Sequence, residues 1–162
     1  MQDAKLIIAI MYNKEGVYKK CKKCLTKEFG EIEKESNEYD FDRFTNYYER
    51  EMGKDLVKRF ISFKERINKN KLAEIKLKTA EIEKKFLSGN KRMINLDPGY
   101  LTDKELVLAS FKRGTNYKQS IGEGVYAHKV LGFKGKETIT FWHTFPDYKV
   151  KENQRWFLDL IS

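Results

Sequence analysis

The sequence predicts an α+β protein in which helices pack on a sheet as a sandwich. Short apolar runs of strand length alternate with longer segments whose apolar residues recur at helical spacing, and turn-forming Gly, Pro and Asp separate the two kinds of segment. Hydrophobic residues make up 40% of the 162 residues, enough for a sizeable core. Because no repeat or linker interrupts the pattern, residues 1–162 are predicted to form a single domain.

The first half of the chain predicts strands and helices in alternation. Residues 5–12 are continuously apolar, as in a strand buried on both faces. Asn13 is the predicted N-cap of the first helix, and Gly30 its C-cap residue. The further predicted elements are the first helix over about 14–28, a second strand within the acidic stretch 31–42, an irregular or briefly helical segment 44–53, a third strand over 56–63, a second helix over about 72–87 closed by Gly89, and a fourth strand over 91–96.

The second half predicts a third helix, a hairpin and a terminal helix. The run Asp97-Pro98-Gly99 is expected to turn the chain and to stop the fourth strand. Thr102 and Glu105 have the spacing of a capping box, which predicts a helix carrying Leu106, Val107, Ala109 and Phe111. Two strands, 125–131 and 137–145, are predicted to form a hairpin through 132–135, and a helix over 154–161 is anchored by Trp156, Phe157 and Leu160.

The order of these elements predicts a ferredoxin-like βαββαβ core. Strand, helix, strand, strand, helix and strand follow one another along the chain, as in the split βαβ arrangement. The third helix, the C-terminal β-hairpin and the terminal helix are then additions to that core. A three-layer α/β sheet is the alternative, because the elements alternate nearly as well for it.

The charge balance indicates two classes of partner. The formal net charge is +9, and basic proteins gain affinity for nucleic acid by releasing counterions from phosphates. A lysine-rich solvated surface gives the same balance without a ligand. No apolar run approaches the length that spans a bilayer, and residues 1–5 lack the pattern of a secretory signal, so we expect a cytoplasmic protein that does not bind a membrane.

The sequence excludes several common motifs. Cys21 and Cys24 form one C-x-x-C inside a predicted helix, on its apolar stripe, which favours core packing over a redox or zinc site. Residues 132–137 (GFKGKE) lack the spacing and the hydroxyl of a phosphate-binding P-loop. His143-Thr144-Phe145 contains a single H-x-T, and His128 is not followed by a second, so the two-histidine phosphoesterase motif is absent.

Polar and aromatic residues concentrate in the predicted loops, where binding sites are usually built. Carboxylates brought together there would bind Mg²⁺ or act as acid and base, and tyrosines would stack on a ring. The candidate ligand-binding residues are Asp42, Tyr47, Tyr48, Glu51, Lys76, Asn95, Asp97, Tyr100, Glu123, Tyr126, Asp147 and Tyr148.

Five segments of the chain resemble an uncharacterised prokaryotic family, domain of unknown function four-four-one-six. They are 41–53 (FDRFTNYYEREMG), 73–79 (AEIKLKT), 95–101 (NLDPGYL), 122–126 (GEGVY) and 145–148 (FPDY), in the family's order. Some members carry a generic GTP-binding label, which the absent P-loop does not support, and the resemblance implies no activity.

The resemblance also indicates motif positions. Glu123 departs from the family pattern, which more often resembles Gly-Asp-Gly, and Arg43 resembles a local insertion. The positions that match the family motif are Asp42, Tyr47, Tyr48, Glu51, Met52, Gly53, Lys76, Thr79, Asn95, Asp97, Gly99, Tyr100, Gly122, Gly124, Tyr126, Asp147 and Tyr148.

Three functions compete on the sequence alone. The first is a binding module for a phosphate-bearing ligand or RNA, with lysines on phosphates and tyrosines on rings. The second is a metal-assisted hydrolase or transferase acting on a phosphorylated small molecule; Asp42, Glu51, Asp97 and Asp147 would hold Mg²⁺ and Lys76 the phosphate, whereas no other cofactor is indicated. The third is an interaction protein, a homodimer that buries a sheet face or the helix around Trp156.

Overall fold

The computed structural model, which describes residues 3–114 and 116–162, is organised around one nine-stranded sheet. The strands are β1 (Ala4–Tyr12), β2 (Ile32–Glu35), β3 (Tyr39–Asp40), β4 (Val57–Ile67), β5 (Leu87–Ser88), β6 (Lys91–Arg92), β7 (Ile94–Leu101), β8 (Glu105–Ser110), β9 (Lys118–Gly122), β10 (Val125–Lys134) and β11 (Glu137–Ile139). The main order is β11-β10-β8-β7-β1-β4-β2, with β3 beside β4 and β9 beside β10. Neighbouring strands run antiparallel, and β5 and β6 form a separate small hairpin.

Helices cover both faces of the sheet. They are α1 (Glu15–Phe29), α2 (Glu49–Met52), α3 (Leu72–Lys84) and α4 (Lys151–Ile161), with 3-10 turns at Lys69–Lys71 and Pro146–Lys149. Over residues 3–114 and 116–162, we find no helix with the length and apolar character needed to cross a membrane.

The central strand β1 is buried along its whole length because both of its faces carry helices. Alternate residues point to opposite faces of a strand. Leu6 and Ile8 pack in one apolar cluster with residues of α1 and α3, whereas Ile7 and Ala9 pack in another with Phe157 of α4. The continuous apolar run of the sequence is therefore explained by two-sided burial, as predicted.

The α+β class is confirmed. The sheet has nine strands, whereas the predicted ferredoxin-like core has four, because β8, β10 and β11 continue the sheet beyond β7 and because β3 and β9 pair with β4 and β10. Both long helices of the first half occur near the predicted positions. Cys21 and Cys24 lie on α1 as free cysteines, and Cys21 is fully buried in the core.

The predicted cap at Asn13 is wrong. The N-cap residue of α1 is Lys14, and no side chain caps the helix. Asn13 instead donates from Nδ2 to the carbonyl oxygens of Met52, at 2.9 Å, and Lys54, at 3.1 Å. The amide thus joins the end of β1 to the last residue of α2 and to the segment after it, which is a long-range contact that local spacing does not indicate.

The predicted turn at Asp97-Pro98-Gly99 is also wrong, because β7 runs straight through it. Pro98 pairs with Ile8 of β1 without needing an N–H on that side. Two residues earlier, the N–H of Leu96 points away from β1 and is bound by the Glu83 carboxylate at 2.6 Å. The N–H groups of successive residues point to opposite edges of a strand. The nitrogen of Pro98, which carries no hydrogen, therefore faces the same outer edge as the Leu96 N–H, and proline is tolerated on an edge without a strand partner.

The third predicted helix is absent: residues 105–110 are strand β8. The Thr102 hydroxyl accepts the N–H groups of Lys104 and Glu105, as a capping box requires. The Thr102 N–H, however, donates to the Glu105 carbonyl and closes a hairpin in which Leu101 faces Leu106. The short-range hydrogen bonds of the Thr102 hydroxyl serve a tight turn here, and the helix predicted from them is wrong.

Other boundaries differ from the prediction. The acidic stretch forms two short strands, β2 and β3; α3 ends at Lys84, and Gly89 lies in the β5–β6 hairpin instead of closing the helix. The C-terminal hairpin turns at Gly135, and its second strand, β11, has three residues where nine were expected. Strand β9, which pairs with β10, was not predicted.

Candidate functional site

A cleft lies where β7 and β8 separate, on the sheet face that carries α4. The two strands pair at Gly99–Leu108, Tyr100–Val107 and Leu101–Leu106, and they share no further pair. The cleft has a volume of about 450 Å³, within the usual range for small-molecule sites. It is lined by Phe41, Phe44, Thr45, Tyr47, Tyr48, Lys58, Asp97, Leu108, Lys112, Phe145, Pro146, Asp147 and Tyr148.

Strand register explains why Asp97 faces the cleft. Ala9 of β1 lies between Phe60 of β4 and Asp97 of β7 in one cross-strand row. In an antiparallel sheet such residues project from the same face. Asp97 therefore projects from the same face of the sheet as Ala9 and Phe60, which pack in the apolar cluster under α4.

A buried ion pair forms one wall. Lys58 Nζ lies 2.8 Å from Asp147 Oδ2, and both side chains are less than a tenth exposed. The Tyr39 hydroxyl donates to the same oxygen at 2.6 Å. The ammonium also lies over the rings of Phe41, at 5.0 Å, and Tyr148, at 4.9 Å. Burial, followed by the charge of Asp147, raises the pKa of Tyr39 far above its ordinary value, so this hydroxyl stays protonated.

Asp97 is held by a chain of polar side chains that leads out of the cleft. Asn95 Nδ2 donates to Asp97 Oδ2 at 3.1 Å, and Arg92 Nη1 donates to Asn95 Oδ1 at 2.8 Å. Arg92 also binds both oxygens of Glu51, at 2.9 and 3.0 Å. This pairing lowers the pKa of Glu51 and raises that of Arg92. The chain fixes the orientation of Asp97, whose side chain is still 30% exposed.

Two side chains of α3 seal the gap between β7 and β8 from the opposite face. Glu83 accepts the Leu96 N–H, and Lys76 Nζ donates to the Leu96 carbonyl at 3.3 Å. Lys76 Nζ also lies 3.6 Å from Asp97 Oδ1. Burial raises the pKa of Glu83. Backbone groups that a neighbouring strand would otherwise bind are thus satisfied, and the gap persists without unpaired groups at Leu96.

Tyr148 lines the cleft, and its hydroxyl is buried. The residue is 1% exposed, and among the described residues its hydroxyl has no hydrogen-bond partner. Burial, followed by the charges of Asp147 and Asp97, raises its pKa well above the ordinary value. The group is therefore a neutral donor, and a buried donor left unpaired costs roughly 1–3 kcal/mol. A ligand acceptor would satisfy it.

Two exposed cations flank the mouth on rings that line the cleft. The guanidinium carbon of Arg43 lies 4.7 Å from the Phe44 ring centre. Lys112 Nζ lies 4.4 Å from the Tyr47 ring centre and donates to the Tyr47 hydroxyl at 2.9 Å. This contact lowers the pKa of Tyr47, which is 65% exposed. The mouth is thus aromatic and positively charged.

The cleft brings together part of the predicted site. Tyr47, Tyr48, Asp97, Asp147 and Tyr148 line it directly. Glu51, Asn95 and Lys76 join it through contacts that end on Asp97. Residues from four distant segments therefore meet, as joint action on a ligand requires.

The other predicted residues do not line the cleft. Asp42 Oδ2 accepts the N–H of Asp55, at 2.7 Å, and shapes a loop. Tyr100 lies near Glu105, with its hydroxyl 3.5 Å from the carboxylate. Glu123, at φ +57°, forms the β9–β10 turn, and Tyr126 lines a separate groove.

Sequence reasoning missed Tyr39, Lys58, Arg92 and Lys112. A usable signal exists for Lys58: it alternates with Leu56 and Phe60, which are buried, so the strand pattern places a lysine on an inward-facing position. Such a lysine needs a buried partner. Arg92 and Lys112 are ordinary surface types, and nothing local distinguishes them.

The four carboxylates proposed as metal ligands do not converge. Glu51 is occupied by Arg92, Asp42 lies outside the cleft, and Asp147 binds Lys58. Over residues 3–114 and 116–162, no three or more His, Cys, Asp or Glu side chains are grouped so as to hold a metal ion.

Comparison with known proteins places the chain in a family. The family model described as domain of unknown function (DUF4416) matches residues 2–161. The chain belongs to this family. Searches of curated proteins and of solved structures find no match to this DUF4416 chain. For this DUF4416 domain, therefore, function has to be argued from the cleft itself.

Proposed function

We propose that the cleft binds a small phosphate-bearing molecule with a flat aromatic ring, such as a nucleotide. The observation that carries the proposal is the floor: the half-buried carboxylate of Asp97 lies among aromatic lining residues, one of which, Tyr148, has a buried and unpaired hydroxyl. One offers a donor and the other acceptors, which is how a heterocycle with ring nitrogens and amino groups is read by hydrogen bonds.

The mouth supports the phosphate part of the proposal. Arg43 and Lys112 are exposed and bear no carboxylate contact within salt-bridge distance among the described residues. Lys58, by contrast, is neutralised by Asp147 and serves the wall. A ring inserted between Tyr47 and Phe145 would place its phosphate near these two cations, which favour anions.

The geometry does not favour a metal-assisted hydrolase or transferase, because the four carboxylates that would hold the metal ion are dispersed.

The first strands and helices support a narrower fold proposal. The strands β7-β1-β4-β2, with α1 and α3 on one face, have the order of a ferredoxin-like unit, which β8, β10 and β11 extend. We also propose a cytoplasmic location, for which the two free cysteines are the support.

Calorimetric titration of the four nucleoside 5′-monophosphates tests the function. We expect saturable binding of at least one of them at low salt, weaker binding of the matching nucleoside, and loss of that difference in Lys112→Gln. Asp97→Asn and Tyr148→Phe should weaken binding at least tenfold, because each removes one hydrogen bond to the ring.

Matched variants control for general damage. Asp42→Asn and Tyr100→Phe make the same chemical changes outside the cleft and should bind as the wild type does. If none of the four monophosphates binds at millimolar concentration, or if the cleft and control variants behave alike, the proposal is wrong.

A further inference from the structure

A half-buried aromatic stack lies beside the cleft. The rings of Tyr117, His143 and Phe141 are nearly parallel: Tyr117 is 4.5 Å from His143 at 13°, and Phe141 is 5.2 Å from His143 at 3°. Trp142 stands at right angles to this stack, 5.1 Å from Tyr117 and 5.3 Å from His143. Its side chain is 76% exposed, more than any other large hydrophobic residue in the described chain.

The position of Trp142 is fixed although its ring is open to solvent. Edge contacts to two rings of the stack hold the indole, which leaves a face free for another planar group. Burying such a ring inside would be worth more to stability than leaving it exposed. The arrangement is what a base-stacking platform requires, namely a rigid aromatic surface that pays little entropy on binding.

The stack continues from the wall of the cleft. Phe145 lines the cleft, and its ring centre lies 4.9 Å from that of His128. His128 in turn lies 5.0 Å from Tyr117 and 5.3 Å from His143. A strand of nucleic acid with one base in the cleft would therefore meet this platform with its neighbouring bases.

A basic groove is lined by the residues on either side of Tyr117 in the sequence. Its described lining consists of Arg113, Gly114, Asn116, Lys118, Ser120 and Tyr126, with no carboxylate among them, and its volume is about 690 Å³. Lys118 Nζ donates to the backbone carbonyl of Lys112 at 3.2 Å, so the groove adjoins the backbone of a residue that lines the cleft. Burial and the neighbouring charge of Lys112 lower the pKa of Lys118. Positive charge gathered without a counter-charge favours phosphates.

We propose that the ligand of the cleft is one nucleotide of a single-stranded nucleic acid, whose next bases stack on Trp142 and whose phosphates follow the groove of Arg113 and Lys118. This inference rests on the proposed function and names its ligand class more closely. Aromatic stacking and backbone phosphate contacts together are the usual means of binding single strands without a strict sequence requirement.

Tryptophan fluorescence provides a direct test. The chain has two tryptophans, so Trp156→Phe leaves Trp142 as the sole reporter. In that background we expect a pentamer of riboadenosine to quench the emission and to bind at least tenfold more tightly than AMP, which should bind without quenching. A duplex of the same length should not quench, because its bases are already stacked and paired.

The control variants separate this inference from the proposed function. Trp142→Leu should lose the extra affinity for the pentamer and keep the affinity for AMP, whereas Leu87→Ala, an exposed apolar residue elsewhere, should change neither. Equal affinities for pentamer and AMP, or a pentamer affinity that survives Trp142→Leu, would overturn the inference and leave AMP binding intact. Absence of binding by all four nucleoside monophosphates would overturn the proposed function, and Trp142-dependent quenching by the pentamer would in that case still support the stacking platform.

Discussion

At the scale of single residues, the cleft depends on one buried charge pair. Lys58 and Asp147 come from strands and turns 89 residues apart in sequence, and a single carboxylate oxygen accepts from both Lys58 and Tyr39. Neither charge would be tolerated alone in such a buried place. Removal of one partner therefore costs far more than the net value of the pair.

We predict that Lys58→Met and Asp147→Asn each lower the free energy of unfolding by about 3–5 kcal/mol, because each leaves an unpaired partner inside the protein. The double variant should lose less than the sum of the two, and Tyr39→Phe only about 1 kcal/mol, the value of one hydrogen bond. Urea unfolding at pH 7 measures all four variants. Additive losses in the double variant would show that the two groups do not depend on each other.

A second residue-scale prediction concerns acid stability. Burial, followed by the charges of Lys118 and His143, lowers the pKa of His128 from 6.5 to about 4. Between these two pH values the unfolded chain binds a proton that the folded chain does not bind, so stability falls as the pH is lowered from 6.5 to 4. His128→Gln should remove about 2 kcal/mol of this pH dependence. Unfolding curves at pH 4.5 and 7 measure it, and an unchanged difference between them would contradict the assignment.

At the scale of elements, the sequence predicts helices and strands whose apolar residues recur at a regular spacing. It does not predict elements whose structure depends on pairing with a strand that is distant in sequence. The apolar run of β1 and the spaced apolar residues of α1 predict their structures because burial alone imposes those patterns. Thr102 and Glu105 predict a helix, and that prediction is wrong because residues 105–110 pair as a strand with β10. In the same way, Pro98 fits a strand only because one edge of β7 lacks a strand partner there.

The close approach of β7 and β8 depends on Gly99. A Cβ atom at this position would lie 2.4 Å from the Val107 carbonyl oxygen, which is backbone and cannot turn aside. We predict that Gly99→Ala lowers the free energy of unfolding by at least about 2–3 kcal/mol. Gly132→Ala on β10, where the nearest atoms would lie at 3.5 Å, is the matched control and should change it by less than about 1 kcal/mol. Thermal unfolding compares the two, and similar melting temperatures would refute the steric argument.

Only part of the candidate site was predictable for a related reason. Tyr47, Asp97 and Tyr148 were selected because polar and aromatic residues cluster around turns, and the fold brings them together. Glu123 and Tyr126 satisfied the same criterion but lie on a different hairpin. Residue type identifies what is capable of binding, whereas the register of β1, β4 and β7 decides what shares a cavity.

At the scale of the whole molecule, α4 connects the core to the cleft. Phe157 is fully buried, and its ring centre lies 4.8 Å from that of Phe60 and 6.1 Å from that of Tyr148. The helix that covers the second sheet face therefore also supports the floor of the site. Trp156 packs 5.8 Å from Phe60, so the aromatic residues of this helix are used within the chain.

We predict that Phe157→Ala lowers the free energy of unfolding by about 3–5 kcal/mol, through lost burial and the cavity that remains. It should also weaken nucleotide binding, because Tyr148 loses the ring against which it stacks. Chemical unfolding and calorimetric titration of the same sample measure the two effects. Normal affinity in a destabilised variant would show that Tyr148 is positioned without α4.

The joint between β7 and β8 contains three residue pairs, whereas β1 and β7 share eight. We expect local unfolding to begin where two strands share so few pairs, because the free energy of local opening is lowest where few interactions have to break. Amide deuteration of residues 106–108 should accordingly outpace that of the central strand. A nucleic-acid strand would then enter the cleft when β7 and β8 separate. Once bound, it would slow the amide exchange of residues 106–108.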